Sequence, residues 1–204
     1  MIDNTAYKNT SVGLIPSNWE VKKIKEIGDV SSGGTPDTTK VRYWNGDINW
    51  CTPTDITALK NKFLGDTKTK ITEEGLKSSS AKILPPFSII VCTRATIGKA
   101  AINLVPMSTN QGFKNIIPKE VDVNFLYYKI ISEEHGLVKI ASGSTFLEVS
   151  KTDFDNYCIS IPPFQEQQKI ASFLSAIDVQ IEGASKKIAQ TKLFKKGLLQ
   201  QMFV

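Results

Sequence analysis

The sequence predicts a mixed α/β fold: a strand-rich globular domain over residues 1–161, followed by one long coiled-coil α-helix over residues 162–204. Three observations predict it. Short segments of the first part alternate apolar and polar residues or run β-branched and apolar, the patterns of half-buried and central strands. Residues 124–134 place Phe125, Tyr128 and Ile131 on one helical stripe, with Leu126 and Ile130 beside it. After Pro162-Pro163 there is no proline and glycine occurs only at Gly183 and Gly197, while apolar residues follow a 3,4 spacing that suits a coiled coil.

In chain order, residues 1–18 read as a loosely held arm. Trp19 to Ile24 alternates as a half-buried strand does, and Ser31 to Pro36 is a turn-rich loop. Asp47 to Thr52 alternates again, with a short helix placed after Pro53. Pro85-Pro86 introduces Phe87 to Cys92, a run typical of a central strand. Lys99 to Asn103 and Phe113 to Ile117 are further strands, and Tyr157 to Ile161 is the last. The helix of 124–134 is expected to end near Gly136, with His135 at its end. In the long helix Leu174, Ile181, Ile188 and Met202 occupy one seam position; Ile170, Ile177, Ala184 and Leu198 occupy the other. Thr191 and Lys195 interrupt the seam. Pro163 fits the first turn, where its missing N–H costs nothing. Such a helix is roughly 55 Å long at 1.5 Å per residue.

With 204 residues, the part before the helix has the size of one ordinary domain. A net charge of +5 permits nucleic-acid binding without requiring it. No stretch approaches the ~18 consecutive apolar residues of a membrane span. Met1 to Asn4 carries neither part of a signal peptide, so a cytoplasmic location is expected. Cys51, Cys92 and Cys158 lack metal-ligand spacing and read as reduced, buried thiols. His135 is the only histidine, which argues against histidine metal sites and most catalytic triads.

Two motifs resemble catalytic ones and fail chemically. Ile161-Pro162-Pro163-Phe164 has the shape of an adenine amino-methyltransferase motif, but Ile161 offers no acceptor for the amino group being methylated. No glycine-rich turn follows a strand to seat a methionine cofactor. Pro36-Asp37 and Asp66-Thr67-Lys68 crudely match a metal-dependent nuclease pattern, yet the first acid lies in a loop and the second in a surface-like stretch, not at adjacent strand ends. A binding module without catalytic residue, metal or cofactor is the expectation.

Several segments, in order, resemble one family. They are Tyr7 to Thr10 with Gly13 to Val21; Asp29 to Pro36 with Tyr43 to Ile48; Arg94 to Lys99; Thr109 to Phe113; Ala141 to Thr145; and Ile161 to Ala171. Over nearly the whole chain this set closely resembles the specificity (S) subunit of type I restriction–modification enzymes. The resemblance implies a sequence-specific, double-stranded-DNA-binding subunit of a complex whose methyltransferase (M) and nuclease (R) activities lie in other chains. The usual S subunit has two target recognition domains and two long helices that pack antiparallel and space two half-sites. This chain matches one of each; a natural half-length subunit and a truncated form both fit.

On that reading, contacts to DNA fall in loops, where Arg suits guanine, Asn and Gln suit adenine, and hydroxyls and backbone amides suit phosphate. The candidates are Gly33, Gly34 and Thr35, leading to Lys40, Arg42 and Tyr43; Thr93, Arg94, Thr96 and Lys99; Asn110 and Gln111; and Ser142, Ser144 and Thr145. Each has a plain alternative: the glycines turn the chain, Asn110 and Gln111 cap local backbone, and Trp44 and Trp50 are core aromatics. The stretch from Thr57 to Ser80, with Lys60, Lys62, Lys68, Lys70 and Lys77, holds base readers or is a solvated basic face. The seam residues Ile170, Leu174, Ile177, Ile181, Ala184 and Ile188 form the expected homodimer interface. Glu166, Asp178 and Glu182 lie early in the helix and Lys186, Lys187, Lys192, Lys195 and Lys196 late, which favours antiparallel pairing. Two-fold symmetry then makes the target a split palindrome. The alternative is a scaffold, or a fragment, that binds M subunits without reading DNA.

Overall fold

The computed structural model describes residues 6–143 and 147–203. The chain opens with a hairpin, β1 (Tyr7–Thr10) and β2 (Gly13–Pro16), followed by β3 (Glu20–Lys23), α1 (Ile24–Ile27) and β4 (Gly28–Ser32). A 3₁₀ turn at Val41–Tyr43 enters β5 (Trp44–Cys51), then α2 (Pro53–Ala58), β6 (Phe63–Leu64), β7 (Lys70–Ile71) and α3 (Glu73–Lys77). The centre is built by β8 (Ile89–Cys92), β9 (Ala100–Asn103), β10 (Ser108–Thr109) and β11 (Phe113–Pro118). The helices α4 (Val123–Ser132), α5 (Glu134–Ile140) and α6 (Lys151–Asn156) precede β12 (Cys158–Ile161) and α7 (Phe164–Met202).

A five-stranded sheet of order β4-β11-β8-β9-β6 forms the middle layer. Its pairs are antiparallel except β6 with β9. Successive side chains of a strand point to opposite faces. In β8, Ile89 and Val91 therefore join a core with Ile102, Ile116, Phe125, Leu126 and Phe154, while Ile90 and Cys92 join a second core with Cys51, Ile56, Leu84, Met107 and Phe113. Burial on both faces is why this strand reads as an unbroken apolar run. The helices cover the first face. On the second lie α2 and a three-stranded sheet, β10-β5-β7. The pair β12-β3 closes the domain beside α1.

Three expectations are corrected. The arm of 1–18 is a hairpin over 7–16, held by Ser17 N–H donating to Ala6 O at 2.7 Å and by Trp19 Nε1 donating to Glu166 Oε1 at 3.0 Å. The loop at 31–36 begins inside β4, an edge strand whose Gly28 lies against Ile116 and Ile117, so that a Cβ there would come within 2.6 Å of both. Gly136 does not stop a helix: the break falls at Glu133, and Gly136 sits inside α5, where a Cβ would stand 1.8 Å from the Tyr157 hydroxyl.

The long helix runs for 39 residues. In its first turns Gln167 and Ala171 are buried against the domain, and Ile170 packs partly on the first core. Gln167 Nε2 donates to Pro162 O at 2.9 Å, and its Oε1 accepts from Asp122 N–H at 2.9 Å. Past Ser175 no described residue of α7 is buried. Among the described residues no helix is long and apolar enough to cross a membrane.

Candidate nucleic-acid interface

Strand register gathers most of the predicted loops. Lys114 pairs with Ser32, Phe113 with Cys92, and Val91 with Ala100, so residues 33–35, 93–99 and 110–112 emerge from one end of the five-stranded sheet. Gly33 N–H donates to Phe113 O at 3.3 Å and Gly34 N–H to Thr109 O at 2.9 Å. Trp50 Nε1 donates to Gly34 O at 2.9 Å. A Cβ on Gly33 would lie 1.8 Å from Asn110 O, and one on Gly34 would lie 2.3 Å from Ala81 N. Both glycines are required by close approach of backbone to backbone.

The second loop is tied down in the same way. Thr93 donates to Gly112 O through its N–H at 2.9 Å and its hydroxyl at 3.2 Å. Asn110 Oδ1 accepts from Gly112 N–H at 2.8 Å, while Asn110 N–H donates to Cys51 O at 3.0 Å. Val149 N–H donates to Thr93 O at 3.0 Å, and Ser142 and Glu148 exchange backbone hydrogen bonds of 3.0 and 2.9 Å. Ser142, Glu148 and Val149 thus join the cluster. Ala95, with φ 60°, holds a left-handed conformation next to Arg94.

At the centre is a shared carboxylate. Arg94 donates through Nε and Nη2 to Glu148 Oε2, and Lys114 Nζ reaches Glu148 Oε1 at 3.4 Å. The Lys114 side chain is 5% exposed against 40% for Arg94, so Lys114 is the structural cation and Arg94 the reachable one. Burial alone would raise the Glu148 carboxyl, but hydrogen bonding to Arg94 and the charges of Lys114 and Arg94 outweigh it and hold it below its ordinary value.

The structure sorts the predicted contacts. Thr35, Arg94, Lys99, Gln111 and Ser142 are at least partly exposed on or beside the cluster, with Thr35 donating to Gln111 Oε1. Lys99 lies 3.7 Å from Glu134. Lys40, Arg42 and Tyr43 sit apart, at the 3₁₀ turn against α3, where Arg42 pairs with Glu74 at 3.0 Å and covers the Tyr43 ring. Other candidates are bound within the fold. The Gly33 and Gly34 amides donate to backbone carbonyls and Asn110 Oδ1 caps its own loop, the plain alternatives for these residues, while Thr93 is fully buried and the Thr96 hydroxyl is buried, against expectation. Ser144 and Thr145 lie outside the described residues. In the 57–80 stretch Lys70 and Lys77 pair with Asp66 and Glu73, and Lys62 is buried, so the solvated basic face does not include it.

Glu148 and Lys114 escaped the sequence reading. Lys114 carried a signal: a charge inside the apolar strand Phe113–Ile117 requires a buried partner. Nothing local marks Glu148 as that partner. The nuclease-like acids do not meet. Asp37 accepts from Thr39 in its own turn and Asp66 pairs with Lys70 at 3.0 Å. Among the described residues no group of three His, Cys, Asp or Glu is placed to hold a metal ion. Cys51 and Cys92 are buried, and burial pushes both thiols up, Cys92 to about 11, so neither is a ready nucleophile. Cys158, expected to be buried with them, is half-buried.

The model of the type I restriction modification DNA specificity domain family matches residues 16–192, most of the recognition domain and of α7, and the chain belongs to that family. The type I restriction enzyme MjaIX specificity subunit of Methanocaldococcus jannaschii is 43% identical over 188 residues, covering 90% of this chain and 43% of that protein. The EcoR124I/EcoR124II specificity subunit of Escherichia coli is 29% identical over 180 residues, covering 84% and 44%. This chain therefore spans a little under half the length of these curated relatives. The crystal structure of the HsdS subunit from Thermoanaerobacter tengcongensis has the same fold, with a TM-score of 0.65 at 20% identity over 97% of this chain and 47% of that one. A structure from a study of type I restriction–modification complex assembly gives a TM-score of 0.71 at 21% identity, covering 92% and 45%.

Proposed function

We propose that this chain is a DNA-recognition half of a type I specificity subunit: a non-catalytic reader over residues 1–161 and a pairing helix over 162–204. The loop cluster around Arg94 faces the duplex. The seam of α7 pairs antiparallel with a second such helix, two copies read a split palindromic site, and the assembly recruits M subunits and, where present, R subunits. The observation that carries the reading is one family model spanning both the loop-bearing domain and the helix.

The energetics of α7 support pairing. Ile181, Ile188 and Leu198 are 58%, 57% and 40% exposed, and a helix with an apolar seam left in water is unstable alone. Burying each Ile or Leu contributes about 1.5–3 kcal/mol, so the seams of two copies are enough to offset an association cost of roughly 4–15 kcal/mol. Ile170 belongs less to this seam than expected, because it packs partly on its own domain.

A second reading, a scaffold that binds M subunits without reading DNA, draws on the internal satisfaction of the loop groups. One experiment separates the two. The chain, complexed with type I M subunits, is used to select duplexes from a random pool, which are then sequenced. The reader enriches an inverted repeat with a fixed gap; the scaffold enriches nothing.

A further inference from the structure

Lys62 belongs by sequence to the basic stretch of 57–80, yet it is 7% exposed. Its Nζ donates to Tyr128 Oη at 2.9 Å and to Ser175 Oγ at 2.7 Å, and it stands 4.6 Å from the centre of the Tyr128 ring. Tyr128 Oη in turn donates to Asp178 Oδ2 at 2.5 Å. The Lys62 carbonyl accepts from Ile102 N–H at 2.8 Å, which fixes the lysine to the central sheet through β9. Three elements meet in this network: the segment entering β6, helix α4, and α7. A buried ammonium persists only when its donors are met, and here two hydroxyls and a ring face meet them. Burial lowers the Lys62 pKa, opposed by the charges of Asp178 and Asp122.

The position of the network matters more than its strength. Among the described residues Ser175 and Asp178 are the last of α7 to bond to the domain; beyond them the described helix stands in solvent. From Asp178 to Met202 a straight helix extends roughly 36 Å, so a tilt of about 5° at this point moves its end by roughly 3 Å, close to one base-pair step. Small angular freedom here is therefore equivalent to a change of spacer by a base pair.

We propose that Lys62, Tyr128, Ser175 and Asp178 form a latch that fixes the angle at which α7 leaves the domain, and that they thereby determine which half-site spacing the paired protein accepts. This rests on the paired-reader function proposed above. The latch residues are positioning residues, carried by the segment entering β6, by α4 and by α7 and not by the loops of the cluster, so they act on spacing and leave base preference alone.

The test uses Lys62→Met and Tyr128→Phe in the full chain with M subunits, selecting from random duplexes. Half-site bases and gap length are scored separately. The wild type selects one gap. Each variant selects two or more adjacent gaps, keeps the same half-site bases, and loses roughly two- to tenfold affinity at the original gap, the worth of one net hydrogen bond. A single unchanged gap in both variants overturns the latch. Tyr128→Phe removes one hydroxyl and keeps the ring, so it carries the test should Lys62→Met not fold. If the wild type selects no split site, the paired-reader function is what fails. The latch is then judged in the chain itself, by energy transfer between dyes at Lys25→Cys and Gln190→Cys in a Cys158→Ser background, diluted into unlabelled protein. A distance distribution that widens in both variants upholds it, and equal widths overturn it.

Discussion

At the end of the five-stranded sheet polar groups meet one another, whereas along the outer part of α7 apolar side chains meet water. Gly33, Gly34, Thr93 and Asn110 look in the sequence like donors waiting for DNA, but their hydrogen bonds close on Phe113, Thr109, Gly112 and Cys51. Ile181 and Ile188 read in the sequence as seam residues that need a partner, and they are more than half exposed. The contrast teaches that a motif rich in hydroxyls and glycines can be the frame of a binding site rather than its contact surface. In the cluster Arg94 stays 40% exposed while paired with Glu148, and along α7 the apolar seam stands in water.

The sharpest way to break this contrast is at the seam. Ile181→Asp with Ile188→Asp removes four apolar side chains from a pair of helices, at about 1.5 kcal/mol or more each. Sedimentation should show complete loss of self-association, while the melting temperature of the domain stays within a few degrees. At the other pole, Gly33→Ala forces a methyl group into the Asn110 carbonyl and should destabilise the fold by about 3 kcal/mol or more, read by chemical denaturation. The same substitution at Gly183, where a Cβ meets nothing within 4 Å, should be tolerated and favour the helix by about 1 kcal/mol.

Glu148→Gln leaves Lys114 without its carboxylate and should cost about 1–3 kcal/mol of stability. The pH dependence carries a definite sign. Because the folded Glu148 pKa is depressed, its contribution is fully present above the ordinary value of 4.5 and is lost as pH falls through the lower folded value. The variant should therefore show a shallower loss of stability on acidification in that window. For DNA, Arg94→Ala should weaken binding by about 1–3 kcal/mol. Loss confined to the preferred sequence marks a base contact, and uniform loss with a smaller salt slope marks a phosphate contact. The smallest effect belongs to Lys99→Ala, whose loose, exposed pairing with Glu134 should change stability by less than about 0.5 kcal/mol.

How much of this was legible depends on the range of the interaction. Phe87–Cys92 and the long helix announced themselves because burial on two faces and a heptad seam each leave a local pattern. β4 did not, since Gly28, Asp29, Ser31 and Ser32 have little strand preference and the strand forms by pairing with β11, far along the chain. The loops that form the cluster were all marked by their residue types, but not which of their groups point inward: the Thr93–Gly112 and Gly34–Thr109 bonds join residues with no sequence relation. Glu148 and the Lys62 latch were invisible for the same reason. Lys62 even misled, because a lysine among lysines reads as solvated until Tyr128 and Ser175 are seen around it.

Antiparallel pairing of α7 between two copies can be tested with a single cysteine. Ile181 lies midway along the seam from Leu174 to Ile188, so antiparallel pairing centred on that stretch brings the two copies of Ile181 close to the two-fold axis. In a Cys158→Ser background, mild oxidation of the Ile181→Cys chain should give a disulfide-linked dimer, while the Ile170→Cys chain, whose substituted position packs toward its own domain, stays monomeric. An Ile181→Cys chain that remains monomeric after oxidation, with and without M subunits present, contradicts the pairing.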